Sequence, residues 1–125
     1  MGGFAGEQAG DAVLIYIIDG DLEWGKTVER ALKGYETRVF TDGLDAIEAM
    51  GERRPDGVVC AVELVGPNAF SLLNEMRSDA GMASIPMLLL TDVPIGEVSA
   101  YGVTAALSKY EMKPEMIARE VEKWT

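Results

Sequence analysis

The sequence contains no histidine and a single cysteine, Cys60, among its 125 residues. Histidine is the commonest general base and the commonest zinc ligand, so its absence leaves no plausible transition-metal site. The only metal ions that the sequence could still bind are hard cations held by oxygen atoms, such as Mg²⁺. Cys60 lies in an apolar run and has no second cysteine to pair with. We therefore expect a small buried side chain in a reducing, cytoplasmic setting.

Positive charge is also scarce, because 11 Lys and Arg face 21 Asp and Glu, for a formal net charge of −10. Nucleic acids and anionic membranes are bound through clustered basic residues, so we predict neither as a partner of this domain. No apolar run in the sequence approaches the length of a membrane span, and the N-terminus does not resemble a signal peptide. The expected partner is a protein, including a second copy in a homodimer.

The rest of the composition is that of one globular domain, since 48% of the residues are hydrophobic and the length suffices for one core only. Residues 1–12 are rich in glycine and lack periodicity, and we interpret them as a flexible tail before a domain over 13–125. Continuous apolar runs indicate strands buried on both faces of a parallel sheet. The strands are predicted at Val13–Ile18, Thr37–Thr41, Val58–Val62, Met87–Leu90 and Val103–Leu107.

Helical patterns alternate with these strands. The helices are predicted at Leu22–Leu32, Leu44–Glu52, Ala69–Ser78, Ile95–Tyr101 and Pro114–Trp124. Asp21 and Asp42 are suited to cap the first two helices. Strict alternation favours an α/β doubly wound sheet of five parallel strands and five helices, in the flavodoxin-like order 2-1-3-4-5.

Functional groups of such a sheet gather at the carboxyl ends of its strands. Here Asp19 follows the first strand, Thr91 the fourth and Lys109 the fifth. Between them, the third strand offers only the methyl group of Ala61.

Several stretches, taken in order, resemble the receiver domain of bacterial response regulators. Ile17–Asp21 resembles the acidic segment after the first strand, Ile85–Thr91 the fourth strand with its hydroxyl switch residue, and Gly102–Lys109 the fifth strand with its phosphate-binding lysine. Shorter matches lie at Gly34–Glu36, Asp42–Ile47 and Pro55–Asp56. The resemblance implies the flavodoxin-like fold and a role in two-component, phosphorelay signal transduction.

In that family, an aspartate ending strand three takes a phosphoryl group and two acidic residues after strand one hold Mg²⁺. The resemblance places Ala61 at the acceptor position and Gly20 at the second acidic position, with Asp19 remaining at the first. Phosphoryl transfer needs a nucleophile and a metal that neutralises the developing charge. We therefore predict a pseudo-receiver, a non-enzymatic interaction module that needs neither phosphorylation nor a cofactor.

Other family positions have changed as well. Asp92 replaces the small residue after the switch hydroxyl, Ala106 replaces the switch aromatic, and Tyr110 replaces the proline after the lysine. The partner face expected near strands four and five comprises Val93, Ile95, Val98, Tyr101, Ala106 and Tyr110. An enzyme on this fold is disfavoured, because the sequence has no Gly-rich phosphate loop and no catalytic pair.

The roles of the residual acidic residues stay open at this point. Asp19 has three possible roles: a weak Mg²⁺ ligand, a cap of the first helix, or an ion-pair partner of Lys109. Asp21 is a possible cap of the same helix. Lys109 either binds an anion or pairs with Asp19 or Asp92. The alternative function is a receiver that an anion or Mg²⁺ still regulates at Asp19, Glu63, Asp92 and Lys109.

Two further residues have alternative interpretations. Glu63, two residues beyond Ala61, either reaches the vacated site or is an exposed loop residue. Thr91 is either a switch hydroxyl or a strand-end residue with local hydrogen bonds.

Overall fold

The structure is a computed structural model that describes residues 13–91 and 103–124. The strands are β1 (Leu14–Ile18), β2 (Glu36–Phe40), β3 (Gly57–Ala61), β4 (Met87–Thr91) and β5 (Ala105–Ser108). The helices within these residues are α1 (Leu22–Ala31), α2 (Gly43–Glu52), α3 (Ala69–Ser78) and α4 (Pro114–Glu122). The predicted tail over 1–12 and the predicted helix Ile95–Tyr101 lie outside the described residues.

The strands form one parallel sheet in the order β2-β1-β3-β4-β5, which confirms the predicted topology. Each of the five predicted strands was wrong at one end or both, by one or two residues. Pairing with β1 shifts β2 and β3 one residue towards the N-terminus, since Leu14 pairs with Glu36 and Ile15 with Gly57. Pairing of Ser108 with Thr91 extends β5 beyond its predicted end. Strand ends are thus set by the neighbouring strand, which a single apolar run does not reveal.

Both faces of the sheet are covered, as the continuous apolar runs require. On one face, Tyr16 of β1 packs with Leu72 and Met76 of α3 and with residues of α2. On the other face, Ile17 of β1 packs with residues of α1 and with Ile117 of α4. The central strands β1, β3 and β4 are buried at every position.

Aspartates begin two of the helices at the carboxyl edge of the sheet. Oδ1 of Asp21 accepts hydrogen bonds from the amides of Glu23 at 3.0 Å and Trp24 at 3.4 Å, and Oδ1 of Asp42 accepts one from Leu44 at 2.7 Å. Both caps were predicted from the sequence, and each fixes the first turn of a helix beside the strand ends.

Candidate functional site

A cavity of about 440 Å³ opens at the carboxyl edge of the sheet, where the residual receiver site is predicted. It is formed by the loops after β1, β3 and β5 and by the first turn of α1. Its lining includes Asp19, Asp21, Trp24, Glu63, Lys109 and Tyr110. The structure therefore brings together most of the predicted site residues that it describes.

Asp19 is the buried acidic residue of this site, with 2% of its surface exposed. Its amide donates to the carbonyl of Phe40 at 2.9 Å, and its Oδ1 accepts from the amide of Asp21 at 2.9 Å. Oδ2 lies 2.9 Å from Nζ of Lys109, and the two side chains are 3% and 14% exposed. Asp19 is thus the ion-pair partner of Lys109, whereas Asp21 is the cap of α1.

Lys109 is positioned by β5 and by an aromatic ring. Its amide donates to the carbonyl of Thr91 at 2.7 Å, which continues the pairing of β5 with β4. Its ammonium lies 5.0 Å from the ring centroid of Trp24, within the range of a cation–π contact. Asp92, the other predicted partner, lies outside the described residues. The ammonium is engaged by a carboxylate and a ring, so any anion must compete with both.

Ala61 ends β3 and is 2% exposed. Beside it, Thr91 ends β4 and is also 2% exposed, which places its side chain among the buried polar groups. A methyl group offers neither a nucleophile nor a metal ligand. The end of β3 therefore contributes no chemistry of its own to the cavity.

Gly20 is covered by the backbone of the loop after β3. Its amide donates to the carbonyl of Glu63 at 3.1 Å. A Cβ at this position would lie 3.0 Å from that carbonyl oxygen and 3.3 Å from Cα of Leu64. A side chain at this position therefore requires the loop to shift by a few tenths of an ångström.

The residues at these positions fit a magnesium ion poorly. Mg²⁺ requires several oxygen ligands in near-octahedral geometry. Asp19 is committed to Asp21 and Lys109, Gly20 supplies no carboxylate, and Ala61 has no oxygen in its side chain. Within 13–91 and 103–124, no group of three or more Cys, Asp or Glu side chains is placed to hold a metal ion.

The loop over 62–68, between β3 and α3, is fixed by backbone hydrogen bonds to a second loop. The amide of Val65 donates to the carbonyl of Thr41 at 2.9 Å, and the amide of Gly43 donates to the carbonyl of Val65 at 3.2 Å. Val65 and Asp42 form an isolated parallel bridge. Glu63 is an exposed residue at the rim of the cavity, as one of its two interpretations held.

Cys60 lies beside the site without taking part in it. It is fully buried, and this burial raises the pKa of its thiol far above the ordinary value. The nearby negative charge of Asp19 raises the pKa further, by a smaller amount. The thiolate is the reactive form of cysteine, so we expect this side chain to react slowly in the folded protein.

The predicted partner face is described only at two positions. Val93, Ile95, Val98 and Tyr101 lie outside the described residues. Ala106 packs against the core, whereas Tyr110 is 81% exposed. Sequence reasoning missed the other exposed apolar residues at this edge, Leu22, Leu44 and Val65. The sequence did carry a signal for them, because each is an apolar residue in a loop or in the first turn of a helix, outside the apolar stripe that the helix buries.

No protein-family model matches the chain. Among curated proteins, the transcriptional regulatory protein TcrX of Mycobacterium tuberculosis is 32% identical over 114 residues, which are 90% of this chain and 48% of that protein. The DNA-binding response regulator MtrA of Mycolicibacterium paratuberculosis is 30% identical over 111 residues, covering 84% of this chain and 48% of that protein. The chain spans about half the length of the curated relatives it matches.

Solved structures agree with these relatives. A response regulator from Chloroflexus aurantiacus is 26% identical with a TM-score of 0.80, covering 90% of this chain and 97% of that one. A chemotaxis response regulator of Vibrio cholerae, at 22% identity, shares the fold with a TM-score of 0.82 over 91% of this chain and 99% of that one.

In the described part of the chain, no helix has the length and apolar character needed to cross a membrane. Sequence relatives and structural neighbours together support the assignment of this chain as a response-regulator receiver domain.

Proposed function

We propose that this receiver domain is a protein-interaction module of two-component signalling that works without phosphorylation. The observation that carries the proposal is Ala61, which closes β3. The resemblance to receivers assigns the acceptor aspartate to this position. A methyl group has no electron pair to attack phosphorus. The domain then acts through the surface that its fold presents rather than through a chemical switch.

Two features of the cavity support this function. The ion pair of Lys109 with Asp19 satisfies both charges, so the folded state needs no phosphoryl group to neutralise the lysine. The hydrogen bond from Gly20 to Glu63 closes the place of the second acidic residue. The first contact uses the lysine that a working receiver would offer to the phosphoryl oxygens.

The relatives indicate which part of a whole protein would bind DNA. They are named as DNA-binding and transcriptional regulators, and each extends well beyond the part that this chain matches. With a net charge of −10, this domain is poorly suited to phosphate contacts. We infer that DNA binding, in a whole protein of this kind, belongs to a separate output domain that the receiver contacts.

Mass spectrometry of the intact protein after incubation with acetyl phosphate and Mg²⁺ tests the central claim. A receiver domain that carries the acceptor aspartate serves as the positive control in the same buffer. We expect labelling of the control and no mass gain for this chain. A stoichiometric gain of one phosphoryl group that is labile to base would contradict the proposal.

Magnesium binding is tested separately by fluorescence of Trp24, which lies against Lys109 at the cavity. The substitution Trp124→Phe removes the second tryptophan, which packs near Gly57 at the amino end of β3, and so isolates the signal. We expect no saturable change up to millimolar Mg²⁺. A saturable change that Asp19→Asn abolishes would favour a cation-regulated receiver instead.

A further inference from the structure

The large hydrophobic side chains that are exposed within 13–91 and 103–124 all lie at one end of the molecule. They are Leu22, Leu44, Val65 and Tyr110, with exposures of 48%, 56%, 53% and 81%. Leu22 begins α1, Leu44 is in the first turn of α2, Val65 is in the loop after β3, and Tyr110 follows β5. Single exposed apolar residues are normal on any protein, and large patches of them are found at interaction sites. The confinement of these four residues to one edge is therefore a reason to ask what this edge binds.

These four residues, together with Trp24 and the cavity that Trp24, Val65 and Tyr110 line, are called the carboxyl-edge face below. The backbone under this face is fixed. Asp21 and Asp42 cap the helices that carry Leu22 and Leu44, and Val65 is held by two backbone hydrogen bonds. A preformed surface loses little conformational freedom when a partner binds, which favours affinity.

The charge of the carboxyl-edge face is negative. Three carboxylates line its cavity, on Asp19, Asp21 and Glu63, against the single ammonium of Lys109. Asp19 and Lys109 neutralise each other, and both are largely buried. Asp21 and Glu63 are exposed and remain to set the potential that an approaching partner meets.

We propose that the carboxyl-edge face docks a protein segment in which a basic side chain is flanked by apolar ones. The basic side chain enters the cavity towards Asp21 and Glu63, and its apolar neighbours cover Val65 and Tyr110. This inference rests on the proposed function, because a site that still took Mg²⁺ and a phosphoryl group would need the same cavity. A second copy of the chain fits poorly, since two acidic faces repel each other.

An array of random dodecapeptides, probed with the labelled domain, is the first test. We expect the bound peptides to be enriched in Arg or Lys next to Leu, Ile, Phe or Trp. The affinity of the best peptide is then measured by fluorescence anisotropy against four proteins: the unchanged chain and the variants Glu63→Lys, Tyr110→Ala and Glu75→Lys. Glu75 is an exposed residue of α3, so its variant makes the same charge change away from the cavity.

We expect Glu63→Lys and Tyr110→Ala each to weaken peptide binding about tenfold, as truncated anchor residues of interfaces do, and Glu75→Lys to leave it unchanged. Chemical-shift mapping with the same peptide should move the signals of Gly20, Val65 and the Trp24 indole. The substituted side chains are exposed, and thermal unfolding of each variant checks that the fold is kept.

Three results would overturn the inference. The first is an array with no bound peptide or with acidic ones. The second is an equal loss of affinity in Glu63→Lys and Glu75→Lys, which would show that peptide affinity depends on the net charge of the domain and not on the cavity. The third is a homodimer that Tyr110→Ala dissociates, which would assign the face to a second copy. None of these results bears on the acetyl phosphate test, so the inference and the proposed function fail separately.

Discussion

Nζ of Lys109 lies 2.9 Å from Oδ2 of Asp19, and this ion pair joins the ends of β5 and β1, which are not neighbours in the sheet. Two strands lie between them, β3 ending at Ala61 and β4 ending at Thr91. Among the described residues, Oδ2 is buried and accepts no hydrogen bond, so this ion pair is what compensates its charge. The basic group of the site is therefore committed to a carboxylate of the same chain.

Removal of the lysine should destabilise the fold. Lys109→Ala leaves the buried carboxylate of Asp19 without its cation, and we expect a loss of about 1–3 kcal/mol in the free energy of unfolding. Lys109→Met should cost less, because it keeps the apolar stem of the side chain. Denaturant unfolding at low and high salt measures both, and the salt dependence should be weak for so buried a pair.

The double variant Asp19→Asn with Lys109→Met is the control for this prediction. Asparagine keeps an acceptor for the amide of Asp21 but carries no charge. We expect it to recover part of the stability lost in Lys109→Met alone. Unchanged midpoints in both single variants would mean that the pair contributes nothing and that Lys109 is available to other ligands.

Two glycine substitutions should have opposite effects. Gly20→Ala places a Cβ 3.0 Å from the carbonyl oxygen of Glu63, so we expect a loss of about 1–3 kcal/mol from overpacking. Gly51→Ala, in α2, meets nothing within 4 Å and should gain about 0.4–1 kcal/mol. Thermal unfolding of both variants measures the difference. Equal effects would show that the loop over 62–68 yields easily to a side chain at position 20.

Restoring the acceptor alone should not restore phosphorylation. Ala61→Asp supplies the nucleophile, but Gly20 still provides no second carboxylate and Lys109 remains paired with Asp19. We expect no mass gain with acetyl phosphate and Mg²⁺. Ala61→Asn, of the same size without the nucleophile, is the matched control. Labelling of Ala61→Asp but not of Ala61→Asn would show that the cavity still assembles a metal site.

Cys60 should resist thiol reagents in the folded protein. Burial raises the pKa of its thiol, so the thiolate fraction at neutral pH is very small, and the reagent has no path to the sulfur. We expect labelling by a disulfide reagent only as fast as the protein unfolds, and rapid labelling in denaturant. Fast stoichiometric labelling without denaturant would indicate an opening of the sheet at β3.

Much of the fold was predictable from the sequence because its signals are local. Buried runs gave the strands, and Asp21 and Asp42 were recognised as caps from their position before an apolar pattern. The Asp19–Lys109 pair was one of two pairings expected, since the order of the strands brings both residues to the same edge.

The rest of the site depends on contacts between loops far apart in the chain. The approach of Glu63 to Gly20, and of Val65 to Thr41, arises from backbone groups that every residue carries. No residue type signals such a contact, so the closure of the second acidic position was not predictable. The confinement of exposed apolar residues to one edge likewise became visible only when four separate segments were placed in space.

The backbone hydrogen bonds of the loop over 62–68 have a consequence for how this surface diversifies. The bonds at Glu63 and Val65 use main-chain atoms, so the side chains of these residues are not needed to shape the loop. Substitutions there can alter which partner is recognised at little cost to folding. Binding preferences can therefore change by substitution at these positions while Gly20 and Gly43 keep the backbones close.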